Sequence, residues 1–385
     1  MQRLLYCLCL IHSLFYLHAA SDSCNSTRSP KLGPTIVEKQ SAIKDDLKIV
    51  SLGINTCPAD VGVGNENCTI YSNFLCNRTI KQRLQIADAF FNVNKVEIAE
   101  LKKRENTSAS RSNMALDLYS TMSNLIGEAY HYDDLFSTVE QYLAKNIKLS
   151  LLHGHDLAYM SILCTSSDTT LRALIDARYI LDPENHPDIT ITLQTLINTK
   201  VNSKHERRVL NSIINPITDL RPECGVNPAL IQDQLKLIPR KDRDCKSTHE
   251  ELLKFMTKAS FDQIKAVDDE YRKQNHGATV LQQIENHCEG YVREAYRRIV
   301  YYAVDPFAYF ADQVFNGIND PYHGFIENAT SIVAYSRSEI DLKDIEAAFQ
   351  IIYKRPVLDF LQDAKWNDPY QTLLYFPYRL YKGNT

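Results

Sequence analysis

A few histidines and acids are the residues of this chain whose types could support metal chemistry. His153, His155 and Asp156 are residue types that bind transition metals. Two histidines that are two residues apart on a helix point to different sides of it, so a shared metal would require a loop at this place. We interpret these histidines as exposed loop residues. The sequence His249-Glu250-Glu251 lacks the second histidine of a zinc-protease helix and does not predict a zinc site.

No spacing typical of a common enzyme class occurs elsewhere in the chain. The sequence has no Gly-x-Ser-x-Gly nucleophile elbow, no glycine loop for phosphate and no paired-cysteine zinc spacing. Cys164 follows His153 and His155 and could suggest a thiol nucleophile, but its position near the end of a predicted helix favours core packing. We therefore expect a protein without enzymatic activity.

The bulk composition is that of an ordinary globular protein with no excess of positive charge. The chain has 385 residues, of which 44% are hydrophobic and 23% charged, and its net charge is −4. Arg293, Arg297 and Arg298 form a local basic stretch, but Glu289 and Glu294 alternate with them. This pattern is typical of a solvated helix face, so we expect no nucleic acid partner.

The first twenty residues have the features of a secretory signal. Arg3 provides a positive start, residues 4–17 are mostly apolar, and Ala19-Ala20-Ser21 offers small residues for cleavage. The apolar run is too short for a bilayer span, which needs ~20 residues, and no later segment is long and apolar enough for one. We predict a signal peptide over residues 1–20, a flexible leader over residues 21–35, and a secreted mature protein.

Cysteine usage agrees with an extracellular destination. Eight cysteines remain after the signal, and an even number in an oxidising compartment favours disulfides. Cys57 and Cys68 bracket a turn-rich insert and are the predicted pair. Cys224 and Cys245 flank a second irregular stretch and are a further candidate pair.

Glycosylation sequons point the same way. Chance alone would give a few in a chain of this composition, but in a secreted protein they indicate exposed loops. The sequons are at Asn25, Asn67, Asn77, Asn106 and Asn328.

A pattern that occurs four times along the chain defines the elements that must position these residues. Its centres are 78 to 93 residues apart, at Arg78, Ser166, Ala259 and Arg337. Five and eight positions after the centres the residues are apolar, except for Arg83: Leu171, Ile264 and Leu342, then Ile86, Leu174, Val267 and Ile345. This spacing is one face of a helix, and a recurring unit of this length predicts several short helices on a shared core. Cys76 and Cys164 lie two residues before their centres and could be buried free thiols on equivalent helices.

The rest of the chain is also predicted to be helical from Ile36 onward. Periodic segments cover residues 83–99, 262–271, 281–302 and 341–353, and breaks that contain proline separate them. We predict an all-α protein with four repeats, over residues 36–124, 125–220, 221–305 and 306–385.

The repeated pattern resembles that of the annexin family. Residues 77–90 look like the start of the third helix of an annexin repeat, and residues 336–345 resemble the same place in the fourth repeat closely. Residues 162–165 and 255–267 are similar to the second and third copies. The resemblance covers residues 36–382 and implies four units of about five short helices, arranged as a curved disk. It also implies calcium-dependent binding of acidic phospholipids on the convex face.

The resemblance implies a calcium site in the first repeat. The family's loop between the first two helices reads Gly-x-Gly-Thr, and Gly53-Ile54-Asn55-Thr56 is similar to it, with Asn in place of the second glycine. Glycine suits such a turn because it accepts a positive φ, and Asn tolerates this better than other residues. Glu105 matches the carboxylate that the family supplies between its fourth and fifth helices. A rival register would use residues 62–66.

The resemblance implies a second, weaker site in the fourth repeat. Gly317-Ile318-Asn319 has the same Gly-Ile-Asn as the first repeat, which favours Gly53 over the rival register. The position of the acid aligns with Ala364, and Asp363, one residue before it, is the candidate ligand. Calcium takes 6–8 oxygen ligands. Backbone carbonyls, one carboxylate, lipid phosphate and water would together supply them.

The second and third repeats lose the motif. The second has residues 153–156 at the turn and Val201 at the acid position, while the third has Arg240-Lys241-Asp242-Arg243 and His287. Basic side chains at the turn repel a cation. We expect at most two calcium sites, both weak, with dissociation constants of roughly 10⁻⁴–10⁻³ M.

Two functional hypotheses follow. The first is a secreted annexin-like protein with residual calcium-dependent binding to an acidic phospholipid surface. The alternative is a secreted scaffold that keeps the annexin fold, has lost calcium and lipid binding, and engages a receptor, matrix or host protein. The repeated Gly-Ile-Asn and Glu105 favour the first hypothesis. The loss of ligands in two repeats favours the second, as do the sequons near the implied convex face: Asn67, Asn106 and Asn328.

Overall fold

The regular secondary structure of the chain is helical. The computed structural model describes residues 30–56, 73–90, 137–153, 156–176, 193–214, 219–241, 245, 249–319, 329–366 and 371–384. These residues contain helices and connections and no β-strand beyond an isolated bridge at Arg240, so the predicted all-α class is confirmed. In the same ranges every helix is too short or too polar for a bilayer span.

The helices of the first two predicted repeats are short. In the first, helix α1 is Ile43–Thr56, residues 73–76 are helical, and α2 covers residues 80–90. The second contains α3 (Val139–His153), α4 (Asp156–Cys164), α5 (Asp168–Asp176), α6 (Leu193–Lys200) and α7 (Lys204–Ile214).

The third and fourth predicted repeats have the same order of helices. The third begins with the 3₁₀ turn Pro228–Leu230 and continues with α8 (Ile231–Leu235), α9 (His249–Lys258), α10 (Phe261–Gln274), α11 (Val280–His287) and α12 (Gly290–Val304). The fourth contains α13 (Pro306–Asn319), α14 (Ala329–Arg337), α15 (Leu342–Tyr353), α16 (Val357–Trp366) and α17 (Gln371–Lys382). Each of these two repeats therefore has five α-helices within the described residues.

The four pattern centres occupy equivalent places in the fold. Each lies at the end of one helix or in the turn before the next, and the eight residues that follow at the fifth and eighth positions are all buried. The predicted helix face is therefore confirmed in all four copies. Its one polar member, Arg83, is only 1% exposed.

Buried arginines fasten the ends of helices in two of these copies. Nη1 of Arg83 donates to the carbonyl of Arg78 at 3.1 Å, and its guanidinium lies 5.4 Å from the centre of the Tyr335 ring. Arg221 donates to the carbonyls of Met256, in the last turn of α9, and of Ala259, which follows that helix. The last carbonyls of a helix have no intrahelical partner, so a guanidinium placed there satisfies them and is itself partly compensated for burial.

The described residues form two compact units, and each has its own core. One unit is made of residues from 143–313 and the other of residues from 30–142 and 314–385. In the first, α12 packs against α10, α11, α7 and α4. In the second, α17 packs against α16 and α14.

In the second unit, the end of the predicted flexible leader is held in place. The carboxylate of Asp344, in the first turn of α15, accepts the backbone N–H groups of Lys31, Leu32 and Gly33 at 2.9–3.2 Å. The N–H groups of Thr35 and Ile36 donate to the carbonyl of Ser338. Residues 30–36 are therefore anchored by hydrogen bonds, which the Ser, Pro and Gly content of this segment did not predict.

The disulfide pattern corrects one prediction. Cys245 is bonded to Cys288, so the candidate pair Cys224–Cys245 is wrong. Proximity along the sequence was a poor guide because folding brings the α11–α12 connection beside the segment that precedes α9. The predicted partners Cys57 and Cys68 lie outside the described residues.

Cys76 and Cys164 are buried free thiols, as the repeat positions indicated. Burial raises the pKa of both thiols to about 12, and nearby arginines offset this only in part. A thiol with such a pKa is a poor nucleophile at neutral pH, so the structural interpretation of Cys164 stands.

Candidate functional site

The implied calcium ligands belong to two connections in each repeat. The first connection joins the first and second helices of the repeat, and the last connection joins the fourth and fifth. In the fourth repeat the first connection runs from α13 to α14 and the last runs from α16 to α17.

Both Gly-Ile-Asn sequences lie in the last turn of a helix. Gly53 and Asn55 are within α1, which ends at Thr56, and Gly317 and Asn319 are within α13, which ends at Asn319. These residues are helical, so the glycines do not serve a left-handed turn as the resemblance implied. The last turn of a helix directs its carbonyl groups beyond the helix end, where the helix dipole favours a cation. The two motifs thus place carbonyl oxygens at a cation-favouring end.

Aromatic packing fixes the end of α13 against two other helices. The ring of Phe315 stacks on that of Tyr353 of α15, with centroids 3.9 Å apart and planes 6° apart. It also meets the Phe360 ring of α16 edge-on at 5.7 Å. The Asn319 amide group donates to the Phe315 carbonyl at 2.7 Å and so closes the last turn of α13. The Gly-Ile-Asn of the fourth repeat is therefore held on a rigid aromatic base shared with α16, the helix that carries Asp363.

The predicted ligand Asp363 is exposed and takes part in an ion pair. Nη2 of Arg355 lies 2.7 Å from a carboxylate oxygen of Asp363 and donates as well to the carbonyl of Asp359 at 3.2 Å. An exposed pair of this kind contributes about 0.2–1 kcal/mol, which a divalent cation can overcome. Asp363 is an oxygen donor of the type that calcium prefers, but Arg355 competes for it.

The first repeat is described only in part. Gly53 and Asn55 have the placement given above, whereas Glu105 and the rival residues 62–66 lie outside the described residues. The start of α1 is fixed by Asp46, which is 3% exposed and pairs with Nη2 of Arg78 at 2.9 Å.

The second repeat does not fit calcium. At its first connection, α3 ends at His153 and α4 begins at Asp156, and residues 154–155 between them lie outside the described residues. At its last connection, Val201 is buried, and its carbonyl accepts Nη1 of Arg207 at 2.6 Å. The same nitrogen donates to the carbonyl of Asn202 at 3.1 Å. A guanidinium therefore bonds the carbonyl oxygens of this connection, and the position of the acid is apolar.

The third repeat does not fit calcium either. Arg240 and Lys241 are exposed in its first connection, and His287 ends α11 at its last connection. Cys245 and Cys288 join the two connections by a disulfide. His287 at the position of the acid and the two exposed basic side chains disfavour a divalent cation at this place.

The described residues contain no group of three or more His, Cys, Asp or Glu side chains that could hold a metal ion. The side chains of His153, His155, Asp156, His249 and Glu105 lie outside the described part.

One of the five sequons lies in the described structure. Asn77 is half-buried in the turn that follows the helical residues 73–76, and its carbonyl accepts the side-chain amide of Asn384 at 2.9 Å. The other four asparagines lie outside the described residues: Asn25, Asn67, Asn106 and Asn328.

Several residues that hold these elements were not found by sequence reasoning. They are Arg207, Arg355, Asp344 and the pair Arg83–Glu339. Arg83 left a signal, since it is the one charged residue in a register of apolar positions. The others are ordinary charged residues in the sequence, and only the fold shows which carbonyl or carboxylate each one meets.

Comparisons with known proteins agree in fold. No family model matches the chain. Annexin B10 of Drosophila melanogaster is 26% identical over 238 residues, which are 61% of this chain and 70% of that protein. The structure of annexin III superimposes with a TM-score of 0.67 at 17% identity, covering 94% of this chain and all of the other. A calcium-bound annexin (Sm)1 gives a TM-score of 0.62 at 19% identity, covering 89% of this chain and 92% of the other. At these identities the solved structures establish the all-α, four-repeat fold and nothing finer.

Proposed function

We propose that this chain, which belongs to the annexin family, binds calcium weakly at the ends of α1 and α13 and through it attaches to an acidic phospholipid surface. The observation that carries the proposal is the placement of the same Gly-Ile-Asn at the C-terminal turn of the equivalent helix in the first and fourth repeats. In this proposal the protein is a binding protein and not an enzyme.

In each site, the backbone carbonyls at the C-terminal end of one helix would bind the ion together with one carboxylate. The carbonyl oxygens of the last turn of α1, with Glu105, would hold the ion in the first repeat, and those of α13, with Asp363, in the fourth. Bound calcium would supply the positive charge that links these oxygens to lipid phosphate. Because each site has one carboxylate, its affinity should be in the range of extracellular modules, roughly 10⁻⁴–10⁻³ M. The relative annexin (Sm)1, whose structure was solved with calcium, supports a metal in this fold.

We further propose that the protein is secreted. The support is the signal-like residues 1–20 and the Cys245–Cys288 disulfide, because disulfides persist in oxidising compartments and are rare in the cytosol. At extracellular calcium levels a weak site would be largely occupied, so the protein would act as a standing membrane adhesive or coat.

A second function is favoured by the interactions that already occupy the candidate calcium-binding groups. Arg355 pairs with Asp363, Arg207 bonds the carbonyls of the second repeat, and a disulfide joins the two connections of the third. A chain that retained the fold but lost calcium and lipid binding would have these features. In that case the protein would be a secreted scaffold that engages an extracellular protein.

Sedimentation with vesicles separates the two functions. Vesicles of phosphatidylserine and phosphatidylcholine would be incubated with the protein in millimolar calcium or in a chelator, beside vesicles of phosphatidylcholine alone. The proposal predicts binding only to the acidic vesicles and only with calcium, and weaker binding for Glu105→Gln and Asp363→Asn. His205→Gln, on α7 of the other compact unit, is the matched control. Equal sedimentation with and without calcium, or none in either, would reject the calcium mechanism, and the second result would favour the scaffold.

A further inference from the structure

The Cys245–Cys288 disulfide joins two particular segments of the third repeat. Cys245 lies in the first connection, between the end of α8 at Leu235 and the start of α9 at His249. Cys288 lies in the last connection, which consists of Cys288 and Glu289 between α11 and α12. No other bond in the described part of this repeat joins the two connections covalently.

These are the same two connections that would hold calcium in the first and fourth repeats. There, carbonyls of the first connection and a carboxylate of the last connection would meet on one ion. In the third repeat, His287 stands at the acid position, directly before Cys288. The bond thus links the places where, in the other repeats, the two sets of ligands would be.

We propose that the Cys245–Cys288 disulfide replaces calcium as the cross-link between the first and last connections of the third repeat. The third repeat is then ordered by oxidation and is indifferent to calcium. The inference relies on the proposed function only for the location of the ligand-bearing connections.

The Cys288 end of the bond is held by the rest of the fold. Cys288 is 4% exposed, its N–H donates to the carbonyl of Ile284 at 2.9 Å, and Ile284 and Val280 are buried in the core. The α11 end is therefore rigid without the disulfide. On the other side, Arg240 and Lys241, which precede Cys245 in the first connection, are exposed, so the bond attaches an exposed segment to this helix end.

Charge explains why a covalent link suits this repeat better than an ion. Residues 240–244 read Arg-Lys-Asp-Arg-Asp, so three basic side chains stand beside two acids before Cys245, and His287 takes the place of the carboxylate ligand. Without a carboxylate at that position, the excess of positive charge in the first connection disfavours a divalent ion. A disulfide has no charge and needs no carboxylate, so it can join the connections in this environment.

A dithiol reduces the Cys245–Cys288 bond by thiol–disulfide exchange. A dithiol reductant attacks one sulfur of the bond, releases the other cysteine as a thiolate that takes up a proton, and then closes on itself to a cyclic disulfide while the second cysteine leaves as a thiol. Two electrons and two protons pass to Cys245 and Cys288. Cys224 is also in a disulfide, so reduction of the wild-type protein opens more than this bond.

Hydrogen exchange measured by mass spectrometry tests the proposal. The double variant Cys245→Ser/Cys288→Ser is compared with wild type, with Cys164→Ala as the control that alters a buried free thiol of the same compact unit. We expect peptides over residues 236–249 to exchange ~10-fold faster in the double variant, with residues 295–303 unchanged, and we expect millimolar calcium not to restore protection. Unchanged exchange at residues 236–249, or protection restored by calcium, would overturn the proposal.

A second measurement serves if the double variant does not fold. Folded wild-type protein is treated with dithiothreitol, and exchange is followed together with alkylation of each cysteine. Faster exchange at residues 236–249 must appear in step with alkylation of Cys245 and Cys288, and its appearance in step with Cys224 alone would contradict the proposal. Vesicle binding on the same samples reports on the first and fourth repeats, so failure of the proposed function is seen separately.

Discussion

The carboxylate of Glu339 lies 4.0 Å from Nη2 of Arg83, whose side chain is 1% exposed. The same carboxylate accepts the backbone N–H of Ile80, the first residue of α2. Glu339 therefore neutralises a buried charge of the first repeat and caps a helix of that repeat from the turn between α14 and α15. Both residues belong to one compact unit, so this pair is part of what joins the two repeats in it.

Removal of the Glu339 charge should lower the free energy of unfolding by more than the ion pair itself contributes to it. Glu339→Gln leaves the buried guanidinium of Arg83 without a countercharge, and we expect a loss of about 1–3 kcal/mol, reduced because Glu339 is partly exposed. Arg83→Leu puts into this position the residue that Leu171 and Leu342 have in the other copies. The double variant should therefore be more stable than the sum of the single losses predicts. Denaturant unfolding of the four proteins measures this, and additive losses would show that the two side chains do not interact.

The attachment of the end of the leader to the fold should depend on the carboxylate of Asp344. Asp344→Ala removes the acceptor of three backbone N–H groups, at Lys31, Leu32 and Gly33, and charged acceptors make the stronger hydrogen bonds. We expect residues 31–36 to exchange faster and to be cut by protease under native conditions, with a loss in unfolding free energy of about 1–3 kcal/mol. Asp359→Ala, an exposed acid in the first turn of α16, is the control. A leader that stays protected in Asp344→Ala would contradict the prediction.

Stability should fall as the pH rises toward neutral because of Glu346. Burial raises the pKa of this carboxyl from 4.5 to about 7, and Lys343 opposes this shift. The folded protein thus keeps a proton that the unfolded chain releases above pH ~4.5, so the stabilisation from this group is complete below that pH and is lost as the pH rises through about 7. Glu346→Gln should reduce the pH dependence of the unfolding free energy between these pH values. At pH 8 its unfolding free energy should exceed that of wild type by about 2 kcal/mol. Denaturant unfolding at several pH values is the measurement, and parallel curves for variant and wild type would refute it.

Calcium affinity of the fourth repeat should rise when Arg355 is removed. Arg355→Gln frees the Asp363 carboxylate from its 2.7 Å ion pair, and we expect calcium binding to tighten by about 2–5-fold, in line with the small free energy of an exposed pair. Arg172→Gln, which removes the arginine of an exposed ion pair with Asp168 in α5 of the other compact unit, is the control and should leave the affinity unchanged. Isothermal titration would show the difference, and equal affinity in Arg355→Gln and wild type would indicate that Asp363 is not a ligand.

The sequence predicted those features that repeat and missed those that occur once. The buried face Ile86, Leu174, Val267 and Ile345 follows a helical period in four copies, so burial of an apolar stripe was enough to find it. The pairing of Cys245 with Cys288 could not be found in this way, because eight cysteines allow ~105 connectivities and only the fold selects among them. The two Gly-Ile-Asn sequences were predicted to lie in turns between helices, whereas Gly53 and Gly317 are helical, and this was missed because glycine and asparagine suggest a turn.

Glycans on the first connection of the fourth repeat should weaken membrane attachment, whereas a glycan at Asn77 should not. Asn328 directly precedes α14 and so shares its connection with the Gly-Ile-Asn end of α13. Asn77 instead follows the helical residues 73–76. The first connection of the first repeat precedes these residues, so Asn77 is at the opposite end of this helical segment. We therefore expect Asn328→Gln, made in a glycosylating host, to increase binding to acidic vesicles, and Asn77→Gln to leave it unchanged.

The choice of substitution matters for this test, because both sequon threonines are structural. The Thr330 hydroxyl donates to the Val314 carbonyl at 3.1 Å, and the Thr79 hydroxyl accepts the N–H of Gln82 at 3.2 Å. Replacing either threonine would disturb a helix as well as remove the glycan. Vesicle sedimentation of the asparagine variants, beside the same proteins after enzymatic deglycosylation, gives the result. Equal binding by Asn328→Gln and wild type, with the wild-type glycan confirmed by mass spectrometry, would show that this connection does not face the membrane.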